Sequence, residues 1–210
     1  MSSVFTPNCK DCPRLAEFLA TQKEKFPDYY CKPVAAFGDP KAKFLIVGLA
    51  PGLHGANATA RPFTGDHAGI LLYQTLYQFG FSSHAESVSK DDDLRLINTR
   101  ITNAVKCVPP QNKPTPAEIK TCNRYLLQEL NDFTQGGVVL ALGRIAHEAV
   151  IRALALRQKD YPFAHAAEHQ LADFELIDSY HCSRYNTQTK RLTSEQFAAV
   201  FATIRTKLQA

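Results

Sequence analysis

The sequence lacks both common phosphate-binding loops and any segment that could cross a bilayer. No glycine-rich stretch ends in Gly-Lys-Ser or Gly-Lys-Thr, and none has the G-x-G-x-x-G spacing of dinucleotide-binding loops. No apolar stretch approaches the ~20 residues that a transmembrane helix needs. The first residues, MSSVFTPNCKD, also lack the charged and apolar regions of a secretory signal. We therefore expect a cytosolic protein without a membrane partner.

The chain also has no low-complexity tract and no internal repeat. Of its 210 residues, 45% are hydrophobic and 21% are charged, which is ordinary for a globular protein. This length suits one well-filled domain. We predict a single domain over residues 1–210, with segment 1–40 packed on it as a helical, cysteine-bearing segment. The net charge of +4 permits contact with a polyanion but indicates it only weakly.

The most informative stretch runs from Phe44 to Asp66. Residues 44–47 are consecutively apolar and end in Gly-Leu-Ala-Pro-Gly, which predicts a buried strand entering a loop whose backbone can approach a ligand closely. Helical spacing resumes at Ala68. A strand, a glycine-rich loop and a helix form the generic crossover of many α/β domains, so this stretch alone names no reaction.

Three further apolar, β-branched segments predict strands: one from about Ile101, then Val138–Leu142 and Phe174–Ser179. Between them the spacing is helical, and Thr115-Pro-Ala-Glu118 predicts a helix start with a capping box. This alternation predicts an α/β fold. Segments 82–94 and 159–173 are predicted to be surface loops; they carry three consecutive aspartates and two histidines, respectively.

Four of the six cysteines are placed where they can converge. Cys9 and Cys12 form a C-x-x-C pair without a preceding strand, which argues against a thioredoxin-type redox motif. Cys107 follows the second strand, and Cys122 lies about two turns into the capped helix. Four thiolates suit zinc or an iron–sulfur cluster, and the wide second spacing favours a cluster. Four unconnected buried thiols are the alternative.

Polar residues follow three of the predicted strands. His181 comes directly after the fourth strand, Asn103 ends the second, and the glycine-rich loop follows the first. Because parallel strands place their carboxyl ends at one edge of the sheet, these three loops should meet there. Taken singly, the histidine could be a structural residue and the asparagine a turn residue, so the prediction of a site depends on their convergence.

Three segments together resemble the motifs of uracil-DNA glycosylases, specifically the iron–sulfur-bearing type B (family 5) branch. They are GLAPGLHG continuing to RPFTGD, NAVKCVPP, and HCSRYNTQTKRLT, which begin at Gly48, Asn103 and His181. The resemblance implies a three-layer α/β/α fold with a central four-stranded parallel sheet. It also implies a [4Fe-4S] cluster, with ligands matching Cys9, Cys12, Cys107 and Cys122.

The implied activity is excision of uracil from double-stranded DNA in DNA repair, by a monomer, with hypoxanthine and xanthine as further candidate bases. Asp66 would stabilise the sugar cation or position water, and His181 would stabilise the leaving base. Phe63 would stack on the flipped base and Asn103 would bind its edge. The other implied substrate-binding residues are Gly48, Ala50, Pro51, Gly52 and His54; the implied DNA-binding residues are Arg61, Arg184, Tyr185, Asn186, Lys190 and Arg191.

The sequence departs from the family pattern at several positions. Ala50 stands where related branches carry a carboxylate, Cys182 where proline is common, and Lys190 where glycine is frequent. Ala50 disfavours a type A (family 4) enzyme, which has glutamate there, and keeps open an inactive, metal-containing DNA-binding protein. For Asp66, capping of the following helix is the alternative to catalysis.

Overall fold

The protein folds around one central sheet. The computed structural model describes residues 4–133 and 135–209. The strands of the sheet are β1 (Phe37–Gly38), β2 (Phe44–Gly48), β3 (Thr99–Asn103), β4 (Gly137–Leu142), β5 (Glu168–Gln170) and β6 (Phe174–Ser179).

Helices surround this sheet and supply the remaining regular structure of the described residues. Two short 3-10 turns, Pro110–Asn112 and Gln158–Asp160, lie in the longer connections. None of the described helices is long and apolar enough to span a membrane. The α-helices are α1 (Pro13–Lys25), α2 (Ala56–Thr59), α3 (His67–Gln78), α4 (Pro116–Asn131), α5 (Arg144–Ala153), α6 (Arg184–Gln188) and α7 (Ser194–Gln209).

The strands lie in the order β1-β3-β2-β4-β6-β5. The four predicted strands, β2, β3, β4 and β6, are all parallel and form the centre, which confirms the α/β prediction. The predicted count of four is wrong, because β1 and β5 add an antiparallel strand at each edge. These strands are only two and three residues long, so they carry no readable alternation.

The two faces of the sheet pack against different helices. On one face, residues such as Phe44, Ile46 and Leu140 join the buried side chains of α3 and α7. On the other face, Leu45 and Val139 join those of α4 and α5. Because successive residues of a strand point to opposite faces, strands covered on both sides read as continuous apolar runs. The result is the three-layer α/β/α arrangement.

Two helix starts are fixed by side chains of the chain segments that lead into them. Thr115 accepts a hydrogen bond from the Glu118 amide at 3.3 Å, and the Glu118 carboxylate accepts one from the Thr115 amide at 2.7 Å, which is the predicted capping box. Asp66 caps α3 by accepting from the Gly69 amide at 2.9 Å. The second cap ties the end of the glycine-rich loop to a rigid helix.

Segment 159–173 departs from its prediction as a surface loop. It contains β5, and His169 on that strand contacts the buried Asp178 of β6 at 3.2 Å. The other carboxylate oxygen of Asp178 lies 2.8 Å from Nδ1 of His147 on α5. The two histidines therefore join β5, β6 and α5 through Asp178. Because these residues lie far apart in the sequence, the sequence pattern did not reveal their contacts.

A separate apolar cluster joins α1 to the loop that follows β3 and to the start of α4. Beside it lies a buried ion pair, in which the Lys106 ammonium is within 2.9 Å of both Glu129 oxygens and donates to the Thr102 hydroxyl. The Lys106 side chain is only 1% exposed. Since a buried charge that loses its partner is strongly destabilising, this pair should secure the junction between β3 and α4.

We predict that Glu129→Gln lowers the free energy of unfolding by about 3 kcal/mol, because it leaves the Lys106 ammonium buried without a counter-charge. Urea denaturation measures the change. Glu24→Gln, which removes the same charge from an exposed position on α1, is the matched control. Equal stability of the two variants would contradict the prediction.

Candidate active site

A cavity of about 420 Å³ opens at the edge of the sheet where the parallel strands end. Its size lies within the range of small-molecule sites. The glycine-rich loop, the end of β3, the start of α5 and the segment after β6 all contribute to it. Its lining includes Ala50, Pro51, Gly52, Phe63, Asp66, Asn103, His181 and Arg184, which were all proposed from the sequence.

Gly48, at the end of β2, makes room for this arrangement. It pairs in register with Asn103 of β3. A Cβ atom on Gly48 would lie 2.4 Å from Asn103 Oδ1 and 2.6 Å from Phe63 Cζ, closer than real Cβ contacts come. The absence of a side chain at Gly48 therefore leaves the space in which the Phe63 ring and the Asn103 amide both approach the backbone.

The Asn103 amide is poised for a ligand. Its Oδ1 atom is buried and has no hydrogen-bond partner among the described residues. A buried acceptor without a partner is costly, by about 1–3 kcal/mol. Such an atom at a cavity wall indicates that a donor on the bound molecule completes the hydrogen bond.

Asp66 performs two tasks with its two carboxylate oxygens. Oδ1 caps α3. Oδ2 faces the glycine-rich loop, where a Cβ on Gly55 would lie 2.6 Å away and one on Gly52 3.4 Å away. Burial raises the pKa of Asp66, although the Gly69 and Ala68 amides and His67 oppose that shift. The helix cap and the cavity-facing carboxylate thus coexist in one residue.

His181 also lines the cavity. Its ring centroid is 6.1 Å from that of Phe63. Burial lowers the pKa of His181 to about 4, so the imidazole is neutral at physiological pH. The Nδ1 atom is buried and has no partner among the described residues. A neutral imidazole carries one N–H donor, and here no described residue competes for Nδ1.

Two residues predicted to contact the substrate or the DNA lie elsewhere. The exposed His54 is outside the cavity lining, and its Nδ1 lies 3.0 Å from the Tyr29 hydroxyl. Arg61 is 4% exposed and its guanidinium lies 2.5 Å from the Asp92 carboxylate, so it is unavailable to a DNA phosphate. Asp92 belongs to the aspartate run that was predicted to be solvated surface.

The remaining predicted DNA contacts all lie in the segment that follows β6. Tyr185 on α6 is 70% exposed, and Arg184 beside it reaches the cavity. The Arg191 guanidinium lies over the Tyr180 ring at 4.7 Å. Lys190 is exposed and has a positive φ of 56°, which explains why this position favours glycine. The Asn186 side chain is used within the loop, where it donates to the His181 carbonyl at 2.8 Å.

Cys182 is fully buried, and its thiol donates to the Ala68 carbonyl of α3 at 3.4 Å. This contact joins the segment that carries His181 to the helix that Asp66 caps. The loop is therefore held by packing at the position where a proline would otherwise stiffen it.

The four cysteines of the predicted metal site line one small cavity between α1 and α4. The Lys106 amide donates to Cys122 Sγ at 3.2 Å, and the Arg124 guanidinium contacts Cys9 Sγ at 3.7 Å. Burial, together with the neighbouring thiols, raises the pKa of Cys107, and burial raises that of Cys122 to about 11. Such thiols become thiolates when a cationic group binds them.

Several lining residues were missed in the sequence analysis. Asn112 lies at the end of the 3-10 turn in the proline-rich loop, which connects Cys107 to Thr115, and it reaches the cavity with a positive φ of 56°. The available signal was that four prolines within VPPQNKPTP predict an ordered connection rather than a mobile one. The other missed residues are Leu49, Ala56, Ala68, Leu142, Gly143, Ile145 and Ser183, of which Leu49 and Ser183 lie within the quoted motifs.

Comparison with known proteins adds an independent finding. Residues 35–205 match the model of the uracil DNA glycosylase superfamily. The chain is 48% identical to a type-5 uracil-DNA glycosylase of Thermus thermophilus over 91% of its own length and 90% of the relative's. It is 39% identical to one of Pyrobaculum aerophilum over 92% and 86%. A type-4 uracil-DNA glycosylase of Archaeoglobus fulgidus is 34% identical over 59% and 54%. The chain therefore belongs to the uracil-DNA glycosylase superfamily, on the side of its type-5 members.

Proposed function

We propose that this protein hydrolyses the N-glycosidic bond between uracil and deoxyribose in DNA. In the reaction the bond from C1′ to N1 breaks with its electron pair going to the base, and water adds to C1′ to leave an abasic site. The observation that carries the proposal is the single cavity in which Phe63, Asn103, Asp66 and His181 meet. Such a reaction requires a nucleotide that has been flipped out of the duplex.

The base would be recognised by stacking on its face and by hydrogen bonds to its polar edge. The Phe63 ring would stack on the flipped base, and the unpartnered Asn103 oxygen would accept the N3–H hydrogen of uracil. The amide nitrogen of Asn103 would donate to the neighbouring carbonyl oxygen of the base. Ala50 adds no carboxylate to the cavity lining, so hypoxanthine and xanthine are candidate substrates as well.

Bond cleavage would be assisted from two sides. As the base leaves, negative charge accumulates on its carbonyl oxygen, and a donor aimed there stabilises the transition state. The neutral His181 would supply that donor. The positive charge that develops on the sugar would be stabilised by the Asp66 carboxylate, which could also orient the attacking water. The helix cap fixes the Asp66 side chain for this task.

The DNA duplex would lie across the cavity mouth. Arg184, Lys190 and Arg191 would contact phosphates, and the exposed Tyr185 would enter the base stack at the position that the flipped nucleotide leaves. Since all of the lining residues come from one chain, a monomer is sufficient for this arrangement.

We also propose that Cys9, Cys12, Cys107 and Cys122 hold a [4Fe-4S] cluster. A single tetrahedral zinc ion, with bonds of about 2.3 Å to sulfur, would draw the four sulfurs to roughly 4 Å from one another. Among the described residues, however, the group of three side chains whose candidate ligand atoms lie within 4.8 Å of one another is His147, His169 and Asp178, and it contains no cysteine. The wider cavity suits a cluster, which would link the N-terminal segment to the proline-rich loop.

Asp66→Asn and His181→Ala should each lower the single-turnover rate of uracil release from a duplex by at least about 100-fold, because each removes a charge or donor used in the transition state. Alkali treatment and strand-break analysis measure the rate. His84→Ala, which removes an exposed histidine from a surface loop, is the control. Full activity of both active-site variants would refute the assignment. Parallel duplexes with hypoxanthine and xanthine define the range of bases.

The pH dependence of kcat/KM should separate the two groups. Activity should fall on the acid side as Asp66 gains a proton, at a pH above the ordinary aspartate range because burial raises its pKa. His181 stays neutral down to about pH 4. In Asp66→Asn, the residual activity should therefore persist to lower pH. An unchanged acid limb in this variant would contradict the role of Asp66.

The purified protein should contain about four iron atoms per chain and absorb visible light. Cys122→Ser should reduce both, since it removes a ligand whose thiol lies in the shared cavity. Cys31→Ser is the matched control, because this cysteine is buried outside that cavity and accepts from Asn57 Nδ2 at 3.4 Å. Stoichiometric zinc in a colourless wild-type protein would refute the cluster.

A further inference from the structure

Phe63 lies at a strained position in a tight turn. The Thr64 amide donates to the Arg61 carbonyl at 3.3 Å and closes a four-residue turn, with Pro62 second and Phe63 third. Phe63 has a φ of 56°, in the left-handed region that a bulky residue rarely adopts. Turns of this kind normally place glycine or asparagine third. Surrounding contacts must therefore hold the turn in place.

Arg61, the first residue of the turn, is anchored through its buried side chain. Nη1 donates to the Asp92 carboxylate at 2.5 Å and to the Ser87 hydroxyl at 3.0 Å, and Nη2 donates to the Lys90 carbonyl at 2.8 Å. The guanidinium also lies over the Phe37 ring at 4.5 Å. Together these contacts involve most of the donors of the guanidinium.

Asp92 is itself immobilised. Its two carboxylate oxygens accept hydrogen bonds from the amides of Val88, Ser89 and Leu94 at 2.9 to 3.2 Å. Asp92, the ion-pair partner of Arg61, is therefore part of an ordered loop, and the Asp92 side chain is 16% exposed. An ion pair with such geometry and little solvent differs from a surface pair, which contributes little.

The other residues of the turn are held by the same loop and by α3. The Thr64 hydroxyl lies 2.6 Å from the Ser87 hydroxyl, so Ser87 contacts both ends of the turn. The Tyr73 hydroxyl donates to the Pro62 carbonyl at 2.9 Å. Every residue of the turn other than Phe63 thus has a side-chain anchor outside it, and the phenyl ring is the part that projects into the cavity.

We propose that Arg61 and Asp92 are positioning residues, which hold the turn so that the Phe63 ring faces the flipped base. The two lie 31 positions apart and contact neither the base nor the DNA backbone. Arg61, which the sequence motif indicates as a phosphate contact, acts instead through Phe63. The inference relies on the proposed stacking role of Phe63.

A double-mutant cycle tests this inference. Asp92→Asn and the milder Ser87→Ala are made in the wild-type and Phe63→Ala backgrounds, and the single-turnover rate of uracil release is measured for each. Asp92→Asn should reduce the wild-type rate by about tenfold, since a small misplacement of a contact group is enough for such a loss. In the Phe63→Ala background the further loss should be less than about twofold, because the two changes act through one ring.

Binding to a uracil-free duplex supplies a second readout. It should be unchanged in Asp92→Asn, because Phe63 contacts only the extruded base. If Arg61 were instead a phosphate contact, releasing it from Asp92 would tighten this binding and steepen its salt dependence. Lys207→Met, which breaks an ion pair with Glu175 far from the cavity, is the control and should retain the wild-type rate.

Equal fold losses in both backgrounds, or no loss in the wild-type background, would overturn the inference. Thermal melting identifies any variant that fails to fold; if Asp92→Asn fails, Ser87→Ala is judged by the same criteria. A Phe63→Ala variant with full activity would overturn the stacking role and this inference together. A slow Phe63→Ala variant with unaffected Asp92 and Ser87 variants would overturn this inference alone.

Discussion

The close approach of three chain segments above Gly48 is the constraint on which the candidate site depends. The parallel register of β2 and β3 places Gly48 beside Asn103, and the turn at Phe63 folds back over both. A single methyl group at Gly48 would overlap the amide and the phenyl ring. The sheet therefore determines the position of the cavity, and the close contacts of Gly48 with Asn103 and Phe63 require glycine at that position.

Burial shifts the pKa values of the two ionisable groups in the cavity, Asp66 and His181, in opposite directions. Burial favours the uncharged form of an ionisable group, so it raises the pKa of Asp66 and lowers that of His181. The hydrogen bond from the Gly69 amide lowers the pKa of Asp66 and so partly opposes the effect of burial. The Nδ1 atom of His181 receives no comparable contact from the described residues. One apolar cavity can thus hold both a capped carboxylate and a neutral imidazole.

Much of this fold was readable from the sequence because its signals are local. Segments rich in apolar and β-branched residues indicated the four parallel strands, and the Thr115 capping box appeared as predicted. The short edge strands β1 and β5 could not be read, since two or three residues carry no periodicity. The convergence of loops followed from the parallel topology, which places all strand ends at one edge.

The errors share a physical cause, which is that the identity of a residue does not reveal its partner. Arg61 has the charge of a phosphate ligand, and Asp92 lies in a run typical of solvated surface. Their pairing buries Arg61, leaves Asp92 partly buried, and depends on a loop 31 residues away. His169 was similarly predicted to lie at the surface and instead contacts a buried aspartate. In each case tertiary pairing overrides the local pattern.

The cysteine site and the cavity are joined by the proline-rich loop. This loop runs from Cys107 to the Thr115 cap and places Asn112 at the cavity wall. Its prolines limit the conformations of the unfolded chain, and Cys107 and Cys122 lie on its two sides. A group bound by those cysteines would therefore order the cavity wall without taking part in the reaction.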